Sequence, residues 1–238
     1  MCVGAPGVSR PADKAYVWDL PLRLFHWALV ISVIAAFVTA KIGGNAMIWH
    51  GRIGLAIIGL LTFRIVWGFV GSTYARFSTF VRGPQAIRSY LAGAWQGLGH
   101  NPLGALSVLA LLGVLLIQAG TGLFANDDIA FSGYLAALVS SDQSSQITGI
   151  HFLLEKVIMA LVALHIGAIA FYGHVRKHNL VRPMINGWAD GQPGQSAKGG
   201  KPAAFIFAVM IAVAVTWAAS GAILPPPPAP PPSAAPLF

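Results

Sequence analysis

Polar and apolar residues segregate along this chain into five long apolar runs, over about residues 22–40, 48–70, 103–124, 150–173 and 203–223, separated by polar or charged connections. A helix rises about 1.5 Å per residue, so roughly 20 apolar residues cross the ~30 Å hydrocarbon layer of a bilayer. The pattern predicts an all-α membrane protein: a four-helix transmembrane bundle plus a fifth C-terminal transmembrane helix. Residues 129–139 are apolar but too few to cross, which suits a segment lying on the membrane surface or covering the outer end of the bundle. Residues 186–202, rich in Gly, Pro and polar side chains, read as a cytoplasmic linker, and 225–236, dominated by Pro and Ala, as an extended polyproline-type arm. The chain divides accordingly into an N-terminal tail (1–15), a four-helix domain (16–185), the linker (186–202), an extra transmembrane helix (203–224) and a proline-rich tail (225–238).

The 238 residues are 56% hydrophobic and 9% charged, which places the chain among integral membrane proteins rather than soluble domains. A net charge of +8 raises nucleic acid as a partner, but the basic residues stand at the ends of apolar runs and form no compact patch, so none is expected. Their distribution sets the topology instead, because Lys and Arg collect on the cytoplasmic side. Arg10, Lys14 and Arg23 flank the first run, Arg76, Arg82 and Arg88 follow the second, and Arg176, Lys177, Arg182, Lys198 and Lys201 follow the fourth. The connection 125–149 holds Asp127, Asp128 and Asp142 with no Lys or Arg, and only Lys41 lies between the first two runs. The expected topology, in a membrane surrounded by lipid, has the N-terminus cytoplasmic and the C-terminus outside, which the family likeness given below makes a bacterial cytoplasmic (inner) membrane with a periplasmic C-terminus; association of copies into a homo-oligomer is compatible with the pattern. Val38-Thr39-Ala40 resembles a small-residue cleavage site, but the first run is longer than a signal-peptide core.

Four of the seven histidines, His26, His50, His151 and His165, fall inside apolar runs or at their start. An imidazole in hydrocarbon is costly without a partner, and a metal is a strong one. In the expected topology His26 lies one turn into the first helix, near the inner surface, while His50 and His151 open the second and fourth helices near the outer surface. His165 follows His151 by fourteen residues, about 21 Å of rise and a return to nearly the same face. Depth therefore pairs His50 with His151 and His26 with His165. Two imidazole pairs at two depths are what two stacked b haems require, and an iron with both axial positions filled suits one-electron transfer rather than oxygen binding. Cys2 is the single cysteine and no CxxCH is present, so covalent haem attachment is excluded. Zinc, a proton relay and structural histidines at helix ends are the competing readings. His100, His174 and His178 flank spans and read as surface anchors or caps, not as iron ligands.

Particular stretches carry a family likeness. VWDLPLRLFHW ending at Trp27, HGRIGLAIIGLLTFRIVWGFVG from His50, GHNPLGALSVLALL from Gly99, ALVALH ending at His165, and NLVRPMINGW ending at Trp188 resemble the bacterial cytochrome b561 family, which includes the cytochrome b subunit of membrane-bound nickel-iron hydrogenases. The resemblance covers about residues 16–188. It implies a four-helix b-type cytochrome with two haem b groups that exchanges electrons with quinone, and His26, His50, His151 and His165 as the axial ligands of the haem irons. It also implies a periplasmic redox partner, a hydrogenase subunit or a c-type cytochrome. The fifth helix and the proline-rich tail depart from the common pattern.

Further polar residues occupy the runs. Arg64, fourteen positions after His50, falls on a similar face toward the inner side, where it suits a haem propionate or an arginine snorkelling to headgroups. Arg52 suits the same role at the outer haem, or marks the interface. Glu155, one turn after His151, is a candidate for proton exchange with quinone or a partner of Lys156 or water. Gln118 and Thr121 are explained by helix–helix hydrogen bonding, and Trp18, Trp27, Trp49, Trp67 and Trp188 by interfacial anchoring. The leading functional reading is an electron-transfer subunit of an oxidoreductase linking quinone to a periplasmic redox protein. The alternatives are a stand-alone superoxide:quinone oxidoreductase and a haem-free anchor or proton-handling transporter.

Overall fold

The computed structural model describes residues 14–129, 131–191 and 194–224. Most of the expected N-terminal tail and the whole proline-rich tail from 225 lie outside the described residues. Strand β1 (Lys14–Tyr16) leads to Asp19, whose carboxylate accepts from Leu22 N at 2.7 Å and so starts helix α1 (Leu20–Ile42), with proline in the first turn where no intrahelical N–H is lost. Gly43, at φ 69°, stops α1 in a conformation that other residues rarely adopt, and the chain reverses into α2 (Ala46–Val70). Short helices α3 (Phe77–Phe80) and α4 (Pro84–Leu91) follow, then α5 (Pro102–Gly122), capped by Asn101 on Gly104 N. Helix α6 (Ser141–His174), α7 (Val181–Asn186), strand β2 (Trp188–Asp190) and α8 (Pro202–Ala219) complete the described chain. Among the described residues α1, α2, α5, α6 and α8 are long and apolar enough to cross a membrane.

Helix α6 begins nine residues before the apolar run that announces it. Residues 141–149 are polar, but Ser140 and Gln143 form a reciprocal capping box that starts the helix outside the apolar stretch. Hydropathy reports immersion in lipid, not helix formation. His151 is consequently well inside α6 rather than at its opening, and the helix, at 34 residues, runs about 51 Å.

Helix α2 is the centre of the packing: α1, α5 and α8 all lie against it, and α6 packs on α5. The contacts His50–Ala36 and Trp67–Asp19 set the antiparallel register of α1 on α2. Helix α8 adds to the outside of α2 through small residues. Ala208 and Ala212 are buried, and a Cβ on Gly59 would stand 2.7 Å from Thr216 Oγ1, so glycine is what permits that approach. Apolar side chains such as Ile31, Ile34, Phe152 and Leu164 remain exposed on the outer faces, where lipid is their solvent.

The end of the bundle where α1 starts is here termed proximal and the other distal. At the proximal end β1 pairs antiparallel with β2, Lys14 opposite Asp190 and Tyr16 opposite Trp188. Gly187, at φ 88°, turns the chain so that its carbonyl accepts from Val17 N and Trp18 N; a Cβ there would lie 2.8 Å from Trp18 O. Ala197 N donates to Tyr16 O and Thr73 N to Lys198 O. The stretch 186–202, expected as a linker, is therefore woven into the bundle end over its described residues: its glycines serve turns. At the distal end the described part of 129–139 folds over the bundle, with Phe131 and Tyr134 against Gly51 of α2. Of the two expectations for that segment, covering the bundle end is the one observed.

Candidate functional site

The distal end brings His50 and His151 face to face, with ring centroids 6.2 Å apart and planes at 83°. Each ring is oriented through Nδ1. His50 Nδ1 donates to Ala36 O at 2.9 Å, and His151 Nδ1 donates to Gln118 O at 3.1 Å with Thr121 Oγ1 also at 3.1 Å. A carbonyl only accepts, so these bonds leave Nε2 of each ring carrying the lone pair. Gln118 Nε2 lies 3.1 Å from His151 Nε2. Gln118 and Thr121, expected only to join helices, are thus contacts of the imidazole. A cavity of about 360 Å³ opens around the pair, lined by Phe37, Gly54, Leu115 and Gly122 among others, and covered by Phe131 and Tyr134. A Cβ on Gly122 would meet the His151 ring at 3.1 Å.

The donor set is chemically specific. Metal–imidazole bonds are about 2.0–2.1 Å and a ring nitrogen stands about 1.1 Å from its centroid, so two imidazoles on opposite sides of one ion have centroids roughly 6.3 Å apart. The observed separation matches. Among the described residues no three His, Cys, Asp or Glu side chains converge; a structural zinc takes four ligands, whereas axial haem ligation takes two. The residues present fit haem.

At the proximal end His26 on α1 and His165 on α6 lie within electrostatic reach of each other, and His26 Nδ1 is buried with no hydrogen-bond partner. Helix α6 supplies a histidine to both ends.

The other residues singled out by sequence are placed as follows. Arg64 does not snorkel to headgroups: it is 2% exposed, its guanidinium carbon lies 5.0 Å from the Phe77 ring centroid and 5.9 Å from that of Phe80, and Nη1 and Nη2 have no hydrogen-bond partner. Arg52 is exposed over the Trp49 ring at 5.0 Å and does not line the distal cavity. Glu155 lines that cavity and pairs with Lys41 at 2.8 Å, rather than with Lys156. Trp18 and Trp67 are buried at 8% and 0% exposure, unlike the interfacial Trp27, Trp49 and Trp188.

Sequence reasoning missed His100. Read as a surface anchor, it is instead held between the Trp18 and Phe80 rings, each with its centroid 4.6 Å away, and its Nδ1 is covered and unpartnered. Burial, with the nearby Arg64 cation, holds its pKa well below the ordinary imidazole range, at about 3. Its position before a span carried no signal of this, because the covering residue Phe80 comes from α3, twenty residues earlier.

The family model for prokaryotic cytochrome b561 matches residues 17–187. Curated relatives include a probable Ni/Fe-hydrogenase B-type cytochrome subunit of Azotobacter chroococcum mcd 1, 26% identical over 221 residues covering 75% of this chain and 90% of the relative. The probable Ni/Fe-hydrogenase 1 B-type cytochrome subunit of Escherichia coli (strain K12) is 25% identical over 142 residues, covering 46% of this chain and 60% of the relative. A probable Ni/Fe-hydrogenase B-type cytochrome subunit of Bradyrhizobium diazoefficiens is 23% identical over 223 residues, covering 77% and 88%. No solved structure matches the chain at a significant level. With the family model spanning all four helices of the bundle and five helices able to cross a membrane, the chain belongs to the prokaryotic cytochrome b561 family, as a multi-pass bacterial membrane cytochrome that carries haem b and serves electron transport.

Proposed function

We propose that this chain is a di-haem b-type cytochrome that carries electrons across the membrane between quinone and a redox protein on the periplasmic side, with His50/His151 and His26/His165 as the two axial pairs. The observation that carries the reading is the His50–His151 pair, 6.2 Å between centroids across a cavity. Haem b bound there supplies reversible one-electron chemistry between fixed ligands. The chain's own residues do the rest. Ala36 O and Gln118 O hold the two Nδ1 protons and so leave the Nε2 lone pairs for a metal, with the Gln118 amide the group that would yield at His151. Phe131 and Tyr134 cover the cavity mouth. One helix, α6, carries a ligand of each pair fourteen residues apart, a separation of about 21 Å along its axis.

The relatives are named as cytochrome subunits of Ni/Fe hydrogenases, which supports a hydrogenase as the partner ahead of a c-type cytochrome. The Lys and Arg distribution supports a cytoplasmic proximal end and a periplasmic distal end. The test is haem stoichiometry and ligand assignment in the purified full chain. Pyridine haemochrome is expected to give two haems per chain, with His151→Ala and His165→Ala each removing one, and a different one as judged by redox titration. A wild-type content of one haem, or variants that remove the same haem, would overturn the assignment.

A further inference from the structure

Arg64 is a buried cation whose terminal nitrogens lack partners, and His100 beside it has an unpartnered, covered Nδ1. A guanidinium out of water is strongly unfavourable unless an anion or several acceptors meet it, and the faces of Phe77 and Phe80 do not satisfy in-plane N–H donors. The carboxylate that acts on Arg64 from a distance, Asp19, is already committed: Oδ1 accepts from Leu22 N and Oδ2 from Trp67 Nε1. Arg64 and Asp19 form no ion pair. The buried guanidinium therefore lacks an anion of two acceptor oxygens.

Depth indicates which one. The contacts His50–Ala36 and Trp67–Asp19 set a register in which Arg64 is level with Leu22, four residues from His26 toward the proximal end, about 6 Å of helical rise. His100, at the head of α5, reaches across the same end to Trp18 at the head of α1, closing the interior above Arg64. The cation thus stands one turn beyond the proximal histidine pair, inside the bundle, beneath a lid of aromatic rings.

We propose that Arg64 and His100 form a carboxylate clamp under the Trp18–Phe80 lid, and that the carboxylate they hold is a propionate of the haem at His26 and His165. A fork of two guanidinium nitrogens matches two carboxylate oxygens, and the imidazole of His100 adds a further polar contact. The clamp rests on the reading that His26 and His165 are axial ligands.

The experiment uses the full-length purified cytochrome and compares Arg64→Met, Arg64→Lys and His100→Phe by haem stoichiometry and by optical redox titration, with His165→Ala identifying which titration step is proximal. Loss of the cation disfavours the added electron, so Arg64→Met is expected to shift the proximal reduction equilibrium about tenfold toward the oxidised form, about 59 mV for one electron, or to lose that haem alone. Arg64→Lys, which keeps the charge without the fork, is expected to shift it less, and the distal step is expected to stay in place. If Arg64→Met fails to assemble, a proximal-only shift in Arg64→Lys or His100→Phe supports the clamp, and wild-type behaviour in both overturns it. Proximal content and potential unchanged in all three variants, including a result in which only quinone binding is lost, overturn it as well. If His165→Ala removes neither haem, the ligand reading has failed instead, which is a separate result.

Discussion

Asp19 joins the start of α1, the buried face of α2 and the field around Arg64, so Asp19→Ala is the most informative single perturbation of the proximal end. Its Oδ1 caps α1 through Leu22 N at 2.7 Å, and its Oδ2 accepts from the indole of Trp67, which is 0% exposed, at 3.0 Å. Removing a helix cap of this type costs about 1 kcal/mol. Leaving a buried N–H donor without an acceptor costs about 1–3 kcal/mol more. The sum is about 2–4 kcal/mol, and for a chain of this length each kcal/mol moves the melting temperature by about 2–4 °C, a fall of roughly 4–16 °C. Differential scanning fluorimetry in detergent, with the haem absorption followed in parallel, reads it. Asp19→Asn supplies one acceptor oxygen in place of two and is expected to recover about half the loss. A melting temperature for Asp19→Ala within about 2 °C of wild type would refute the reasoning, because the two bonds would then carry no net stability.

Two further outcomes follow from the same end of the molecule. Truncation after Trp188 removes Ala197 N from Tyr16 O, Lys198 O from Thr73 N, and Gly200, where a Cβ would lie 3.1 Å from the Trp67 ring; on the proposed di-haem assignment the haem held at the proximal end is expected to be lost, and haem content and potentials equal to those of the full chain would show that the segment after Trp188 is dispensable to the core. His100 also gives a pH dependence: its folded pKa is depressed to about 3, so the unfolded chain binds the proton first, and stability is full above the unfolded value and falls as pH drops below it. The fall is at most about 1.4 kcal/mol per pH unit below about 6.5, read as the difference in melting temperature between pH 7.5 and 5.0, and His100→Phe is expected to flatten that part of the slope; an equal slope in wild type and variant would be evidence against the burial.

The features legible in the sequence are those for which the membrane acts as a ruler. Lipid forces each span to be a helix, and alternate spans run in opposite directions, so a histidine's position in its run is an expected depth, and that depth anticipates the observed approach of His50 to His151. The unpredicted features sit where that ruler stops. The polar first turns of α6 carry no hydropathy signal and are helical because of the Ser140–Gln143 box. The chain around Gly187, Gly199 and Gly200 has the composition of a free linker, and what makes it part of the fold is its partners, Trp18, Ser72 and Trp67, which lie far away in the sequence.

Arg64 and His100 show the same limit in a sharper form. From sequence, an arginine near a span end is equally well placed to snorkel out or to turn in, and a histidine before a span is an ordinary interfacial residue. The choice is made by α3, whose Phe77 and Phe80 fold back over both groups and remove the route to water. Once that route is closed, the unpartnered nitrogens become informative: a native bundle retains a buried cation only if something inside balances it, and the carboxylate that acts on Arg64 from Asp19 is engaged elsewhere. The four candidate ligand histidines are thus readable one helix at a time, whereas the surroundings of Arg64 and His100 are a property of three non-consecutive segments meeting at one end of the bundle.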